Sequence, residues 1–183
     1  LTGGVITGGA TLDGQFSNTG TSSIGQDLSL LDDAVATVGG QLTVAGDGAG
    51  SDVGVAGALT ITGGGRLIGD TGVATGGAVS VLATGTLQGA ANVASGGDLT
   101  VASGGSVTGP VDLASGATGD LNGTVTGSLT NGGTLDLRGT VTGALLTEAG
   151  GDTQVDGALL TGSTVVNSGT MVVLPADKAN ATA

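Results

Sequence analysis

The chain has 183 residues, including 41 Gly, 2 Pro and no Cys or His, and its formal charge is −12 from 15 acids against 3 cations. Three cations make no basic patch, which excludes nucleic acid and anionic membrane surfaces as partners. Gly does not recur at every third position as in collagen, no stretch nears the ~20 apolar residues of a membrane span, and the alternating Val and Leu residues argue against disorder.

The chain opens Leu1-Thr2-Gly3, without Met or a basic leader, and enters the pattern at once. That start reads as a mature or excised piece of a longer protein. Residues 1–39 are irregular and include the chain's one Phe, Phe16, and an adjacent acid pair, Asp32-Asp33. In a strand such a pair points to opposite faces, so the pair reads as a solvated turn.

Residues 40–56 are read as a coil with a shortened middle, giving Leu42 and Val44, then Val53 and Val55. From 57 to 116 three blocks of twenty residues align. Leu59, Val79 and Leu99 form one column and Ile61, Val81 and Val101 a second. Leu67, Leu87 and Val107 form a third, Thr71, Ala91 and Val111 a fourth, and Val73, Val93 and Leu113 a fifth. Each block holds three short strands, for example Leu99-Thr-Val101, Ser106-Val-Thr108 and Val111-Asp-Leu113, with apolar side chains alternating to one face. Gly and Ser fill the corners. Helix is excluded by the period and by the density of Gly.

Beyond 116 the spacing drifts. Leu121 to Leu129 matches Leu137 to Leu145 at an offset of sixteen. Val155, Leu159 and Val165 continue the pattern, and 175–183 read as a tail or linker. Strands this short gain little alone, but coiling lets each pair in parallel with its copy one block later. The expected fold is all-β: a right-handed parallel β-helix (β-solenoid) of about nine coils of roughly 16–20 residues, three strands each. It forms a single domain over 1–174, regular over 40–174. The right hand follows from the general chirality of parallel crossovers.

The recurrent Val-Ala-Ser-Gly-Gly (93–97 and 101–105), Asn-Gly-Gly-Thr-Leu-Asp-Leu (131–137) and Asn-Ser-Gly-Thr (167–170) resemble the passenger domains of bacterial autotransporters, the pertactin-like and self-associating adhesin group. The resemblance covers roughly 40–174. It implies secretion to, or display on, the surface of a Gram-negative bacterium, with self-association or other cell-surface components as partners. It implies tethering through a region outside this chain and no membrane insertion of the solenoid itself. Gly-Thr-Val-Thr-Gly (123–127 and 139–143) resembles the rungs of bactofilins, which polymerise end to end.

Residue chemistry points away from an enzyme. Polysaccharide-acting solenoids cluster carboxylates with Lys, Arg or His for acid–base work, whereas here His is absent and Arg66 and Arg138 fall coils apart. Asp47-Gly-Ala-Gly-Ser-Asp52 partly matches the calcium nonapeptide. Gly48, Gly50 and Asp52 fit; Asp47 and Gly54 depart from it, and no adjacent copy exists. Calcium at Asp47 and Asp52 is the metal candidate, and no other cofactor is expected. Thr43, Thr60, Ser80 and Thr100 are expected to form an outward hydroxyl ladder, since Thr suits strands and cross-strand contacts. Ice-binding solenoids carry two ranked Thr per coil, but in this strand the flanking residues point inward. Sugar platforms need aromatic rings, which the chain lacks apart from Phe16. Asn122-Gly-Thr124 and Asn180-Ala-Thr182 match the glycosylation sequon.

Overall fold

A computed structural model describes residues 1–48, 50–161 and 164–174. The expected tail, Lys178 and the second sequon lie outside them. Twenty-seven short strands fall into three parallel sheets of nine strands each, and no helix occurs among the described residues. The chain visits the sheets in strict rotation, so every third strand belongs to the same sheet. Sheet 1 runs from Gly4–Ile6 to Leu159–Leu160, sheet 2 from Ala10–Leu12 to Val165–Asn167, and sheet 3 from Gln15–Asn18 to Thr170–Val173. This is a β-solenoid.

The columns read from sequence between 57 and 116 are the inward positions. Leu59 pairs with Val79 and Val79 with Leu99 in sheet 3, and Ile61, Val81 and Val101 stack beside them. Leu67, Leu87 and Val107 stack in sheet 1. Thr71, Ala91 and Val111 stack in sheet 2, as do Val73, Val93 and Leu113. All these side chains are buried. Period-two alternation puts them inside, and parallel pairing puts like over like.

The sixteen-residue offset is also real. Leu121 pairs with Leu137, Val125 with Val141 and Leu129 with Leu145. Coils shorten only at corners. Four residues, 102–105, separate Asp98–Val101 from Ser106–Val107, whereas two, 122–123, separate Thr118–Leu121 from Thr124–Val125. The short corner requires Gly: a Cβ on Gly139 would sit 1.8 Å from the carbonyl oxygen of Gly123 in the coil below.

Residues 1–39, where the pattern is weakest, form two coils in register with the rest. Polar residues take inward positions there. Ser22 Oγ donates to Asn18 Oδ1 at 2.7 Å, Asn18 Nδ2 donates to the Gly20 carbonyl at 3.1 Å, and Asn18 is fully buried. Polar residues inside a strand hide the alternation that marks it.

Two expectations around residue 43 are corrected. Leu42-Thr43-Val44 was expected to continue the column of Leu59, yet Leu42 pairs with Leu67 in sheet 1. The residue under Leu59 is Ala36. The coil is lengthened, not shortened. The described residues 45–48 and 50–52 lie between sheets 1 and 2, where two residues, 69–70 or 89–90, suffice in the next coils.

Candidate functional site

The outward centre of sheet 3 carries the expected ladder with one member replaced. Ser17, Thr37, Thr60, Ser80 and Thr100 are in direct register. Thr43 is not among them; it lies on sheet 1 beside Ser23 and Ile68. Thr37 takes its place, in a strand, Val35–Val38, whose small inward Ala36 conceals the match. Thr60, Ser80 and Thr100 are each half-buried, with hydroxyls presented along one line about 4.8 Å apart.

The same column then changes chemistry. Thr100 is followed by Asp120, Asp136 and Gln154. Like carboxylates directly opposite on neighbouring strands repel, and Arg138 compensates them. Its guanidinium lies 3.7 Å from Asp120, 2.5 Å from Asp136 and 3.5 Å from Asp156. Asn122 Nδ2 donates to Asp120 Oδ1 at 2.7 Å, which ties the first sequon's Asn to this cluster. Asp136 Oδ1 is buried and accepts no hydrogen bond. The sixteen-residue register is what brings Arg138 and these acids together. Arg66, on sheet 1, is hydrogen-bonded instead to Gln88 of the next coil.

The candidate calcium residues are separated in role. Asp52 Oδ2 accepts the Asp70 backbone N–H at 2.8 Å, and Asp70 Oδ1 accepts that of Ala90 at 2.7 Å. One coil earlier, Asp27 Oδ1 accepts the Asp47 N–H at 3.1 Å. Carboxylates thus satisfy N–H groups that the corner between sheets 1 and 2 leaves without ladder partners. This corner series was missed in sequence; its signal is Asp-x-Gly-Val at 52–55 and 70–73. Among the described residues no group of three or more His, Cys, Asp or Glu is placed to hold a metal ion. Asp32 and Asp33 occupy an exposed turn. Phe16 packs, partly buried, against the core.

A shallow trough of about 600 Å³ runs along the corner after sheet 2. Gly54 and Gly72 leave its floor without side chains, and Ala56, Ala74, Ala94 and Leu31 line its apolar side. Among the described residues no helix is long and apolar enough to cross a membrane.

No family model matches the chain, and no curated protein matches it. Among solved structures, the crystal structure of a TibC-catalysed hyper-glycosylated fragment of TibA, residues 55–350, is similar over 93% of this chain and 99% of that one, at 16% identity and a TM-score of 0.35. At that level the likeness adds nothing to what the strand pairing itself establishes.

Proposed function

We propose that the chain is a non-enzymatic rod, secreted or displayed at the surface of a Gram-negative bacterium, that mediates adhesion or self-association. The observation that carries this reading is the in-register polar column Ser17–Thr37–Thr60–Ser80–Thr100 on the outside of sheet 3. Each hydroxyl offers one weak contact, and a rigid column adds many of them without further ordering cost. The carboxylates beside Arg138 are engaged with it and with Asn122, an arrangement suited to holding coils together. The cellular location rests on the resemblance of the repeat motifs to autotransporter passengers.

Display of the chain on a non-adherent Gram-negative cell tests the reading. Cells carrying it are expected to clump or to bind surfaces, and the variant Thr60→Lys/Ser80→Lys/Thr100→Lys is expected to abolish this while keeping its β circular dichroism. Clumping unchanged in the folded triple variant would contradict the reading. Rods that lengthen with concentration in negative stain would favour the second reading, end-to-end stacking.

A further inference from the structure

One glycine on the outward side of sheet 2 has no steric cause. At the short corners a Cβ would strike a carbonyl oxygen of the coil below, at 2.2–2.5 Å for Gly109, Gly127 and Gly143. Gly54 is different. It sits in the middle of the strand Val53–Val55, its φ is not positive, and a Cβ there would meet nothing within 4 Å. It stacks on Gly72 in unbroken register, so no bulge accounts for it. Glycine inside a regular strand weakens the strand, and it marks places where a ligand or another chain comes close. Gly54 and Gly72 form the bare floor of the trough of about 600 Å³ on sheet 2.

The trough has two unlike ends. It crosses five coils, from Ser29 through Gly54, Gly72 and Asn92 to Asp112, all stacked at one outward position of sheet 2. That run is about 19 Å at the spacing of paired strands, a little more than the ~15 Å depth of one leaflet of a bilayer core. Ala56, Ala74 and Ala94 form one wall, and Leu31, 43% exposed, ends it. The opposite end is polar: Asn92 and Asp112 are both exposed. The backbone along the wall is already committed to the ladder. The N–H groups of Ala56, Ala74 and Ala94 donate to the carbonyls of Leu30, Val55 and Val73 at 2.9, 2.8 and 2.8 Å.

A peptide or a sugar laid along this line would press its polar groups against a floor that offers them no partner, and the trough has no ring on which a sugar could stack. An unbranched hydrocarbon chain needs no partner, and the line is about one such chain long. Charge then selects the head group. Asp112 lies in the trough, Asp32 and Asp33 lie just past Leu31, and the two described arginines lie elsewhere, Arg66 on sheet 1 and Arg138 after a strand of sheet 3. With −12 on the whole chain, an anionic head is repelled and a cationic head attracted. We infer that the trough on sheet 2 binds a single-chain cationic amphiphile. Its tail lies over Gly54 and Gly72 and ends against Leu31, and its ammonium head sits beside Asp112. This site is independent of the adhesive role proposed for sheet 3, which uses a different face.

The test is calorimetric titration of the purified chain with tetradecyltrimethylammonium, kept below its micelle concentration. One saturable site per chain is expected, with the negative heat-capacity change of apolar burial. Tetradecyl maltoside is expected to bind the same site more weakly, and tetradecyl sulfate most weakly. Gly54→Val places a β-branched side chain on the floor without a clash. It is expected to weaken the cationic probe about tenfold or more, since each methylene lifted off the floor loses about fourfold. Should Gly54→Val fail to fold, Ala74→Leu, at an exposed position on the wall, is expected to act alike. Asp112→Asn is expected to weaken the cationic probe about 2- to 5-fold and to leave the maltoside unchanged. Unchanged binding of the cationic probe to a folded Gly54→Val would mean adsorption to a charged surface and would overturn the inference. So would the absence of a saturable site, or sulfate binding as tight as that of the ammonium. Loss of self-association in Gly54→Val with no amphiphile bound by the wild type would also overturn it, and would make the trough a contact between copies of this chain.

Discussion

The coils of residues 57–116 and those of 117–155 build the same three sheets by different means. In the first region nearly every inward position is aliphatic and the coil length is constant. In the second, the corners lose residues and polar groups go inside. Asn131 Nδ2 donates to the Asp152 carbonyl and to Thr153 Oγ1, both at 2.9 Å, while its Oδ1 accepts the Gly133 N–H at 3.0 Å. Thr147 and Thr153 share a hydroxyl–hydroxyl bond of 2.8 Å. This buried network is saturated, so it replaces aliphatic packing without leaving orphaned groups. The difference teaches that the fold preserves columns, not repeat length. Corners absorb the change in length, and inward side chains need only fill the space or satisfy one another.

If both regions share one continuous core, truncating either should cost alike. Leu87→Ala in the first and Leu137→Ala in the second are each expected to lose about 2–5 kcal/mol in urea unfolding, as both side chains are fully buried. A loss confined to one, or two separate unfolding transitions, would break the comparison. Gly119 is where the regions meet. It takes the inward position between Leu99 and Leu135, and a Cβ there would lie 2.6 Å from Leu113 Cδ1 and 3.2 Å from Leu135 Cδ1. Gly119→Val is therefore expected to overpack the junction by roughly 1–3 kcal/mol, read as a lowered urea midpoint.

The polar network sharpens the contrast further. Asn131→Ala strands the Gly133 N–H and removes one of the two partners of Thr153, for an expected loss of about 1–3 kcal/mol. An unchanged thermal melt would mean that the network is not saturated in the way described. Arg138→Met should have the smallest effect. The cation and its acids are substantially exposed, so about 1 kcal/mol or less is expected. Part of that loss should vanish in high salt as repulsion among the three carboxylates is screened.

The architecture was legible in the sequence because the first region repeats at constant length. The columns of Leu59, Leu67 and Val73 need only counting. Register failed where a corner changed length without changing the strands around it. Leu42-Thr43-Val44 and Leu59-Thr60-Ile61 are nearly the same string, and only the greater separation of Val44 from the next strand, Val53–Val55, assigns them to different sheets. Thr43 was therefore placed on the wrong face, and Thr37 went unseen beside a small Ala36. Stacked residues on sheet 1 are hidden in a similar way. Thr108, Thr126 and Thr142 recur at eighteen and then sixteen residues, so no fixed period aligns them. Arg138 and its three aspartates form a cluster for the same reason: stacking unites residues whose spacing in sequence is irregular.

The central claim is that stacking register, and not a constant repeat, organises the rod, and paired cysteines test it directly. The chain has no native Cys, so each double variant reports on one contact. Thr124→Cys/Thr140→Cys joins a pair in register across the sixteen-residue coil, within the Cα separation a disulfide spans. Thr124→Cys/Ala144→Cys follows a twenty-residue period instead. Under mild oxidation the first monomer is expected to close its disulfide and the second to stay reduced. Closure of the second pair and failure of the first would contradict the account.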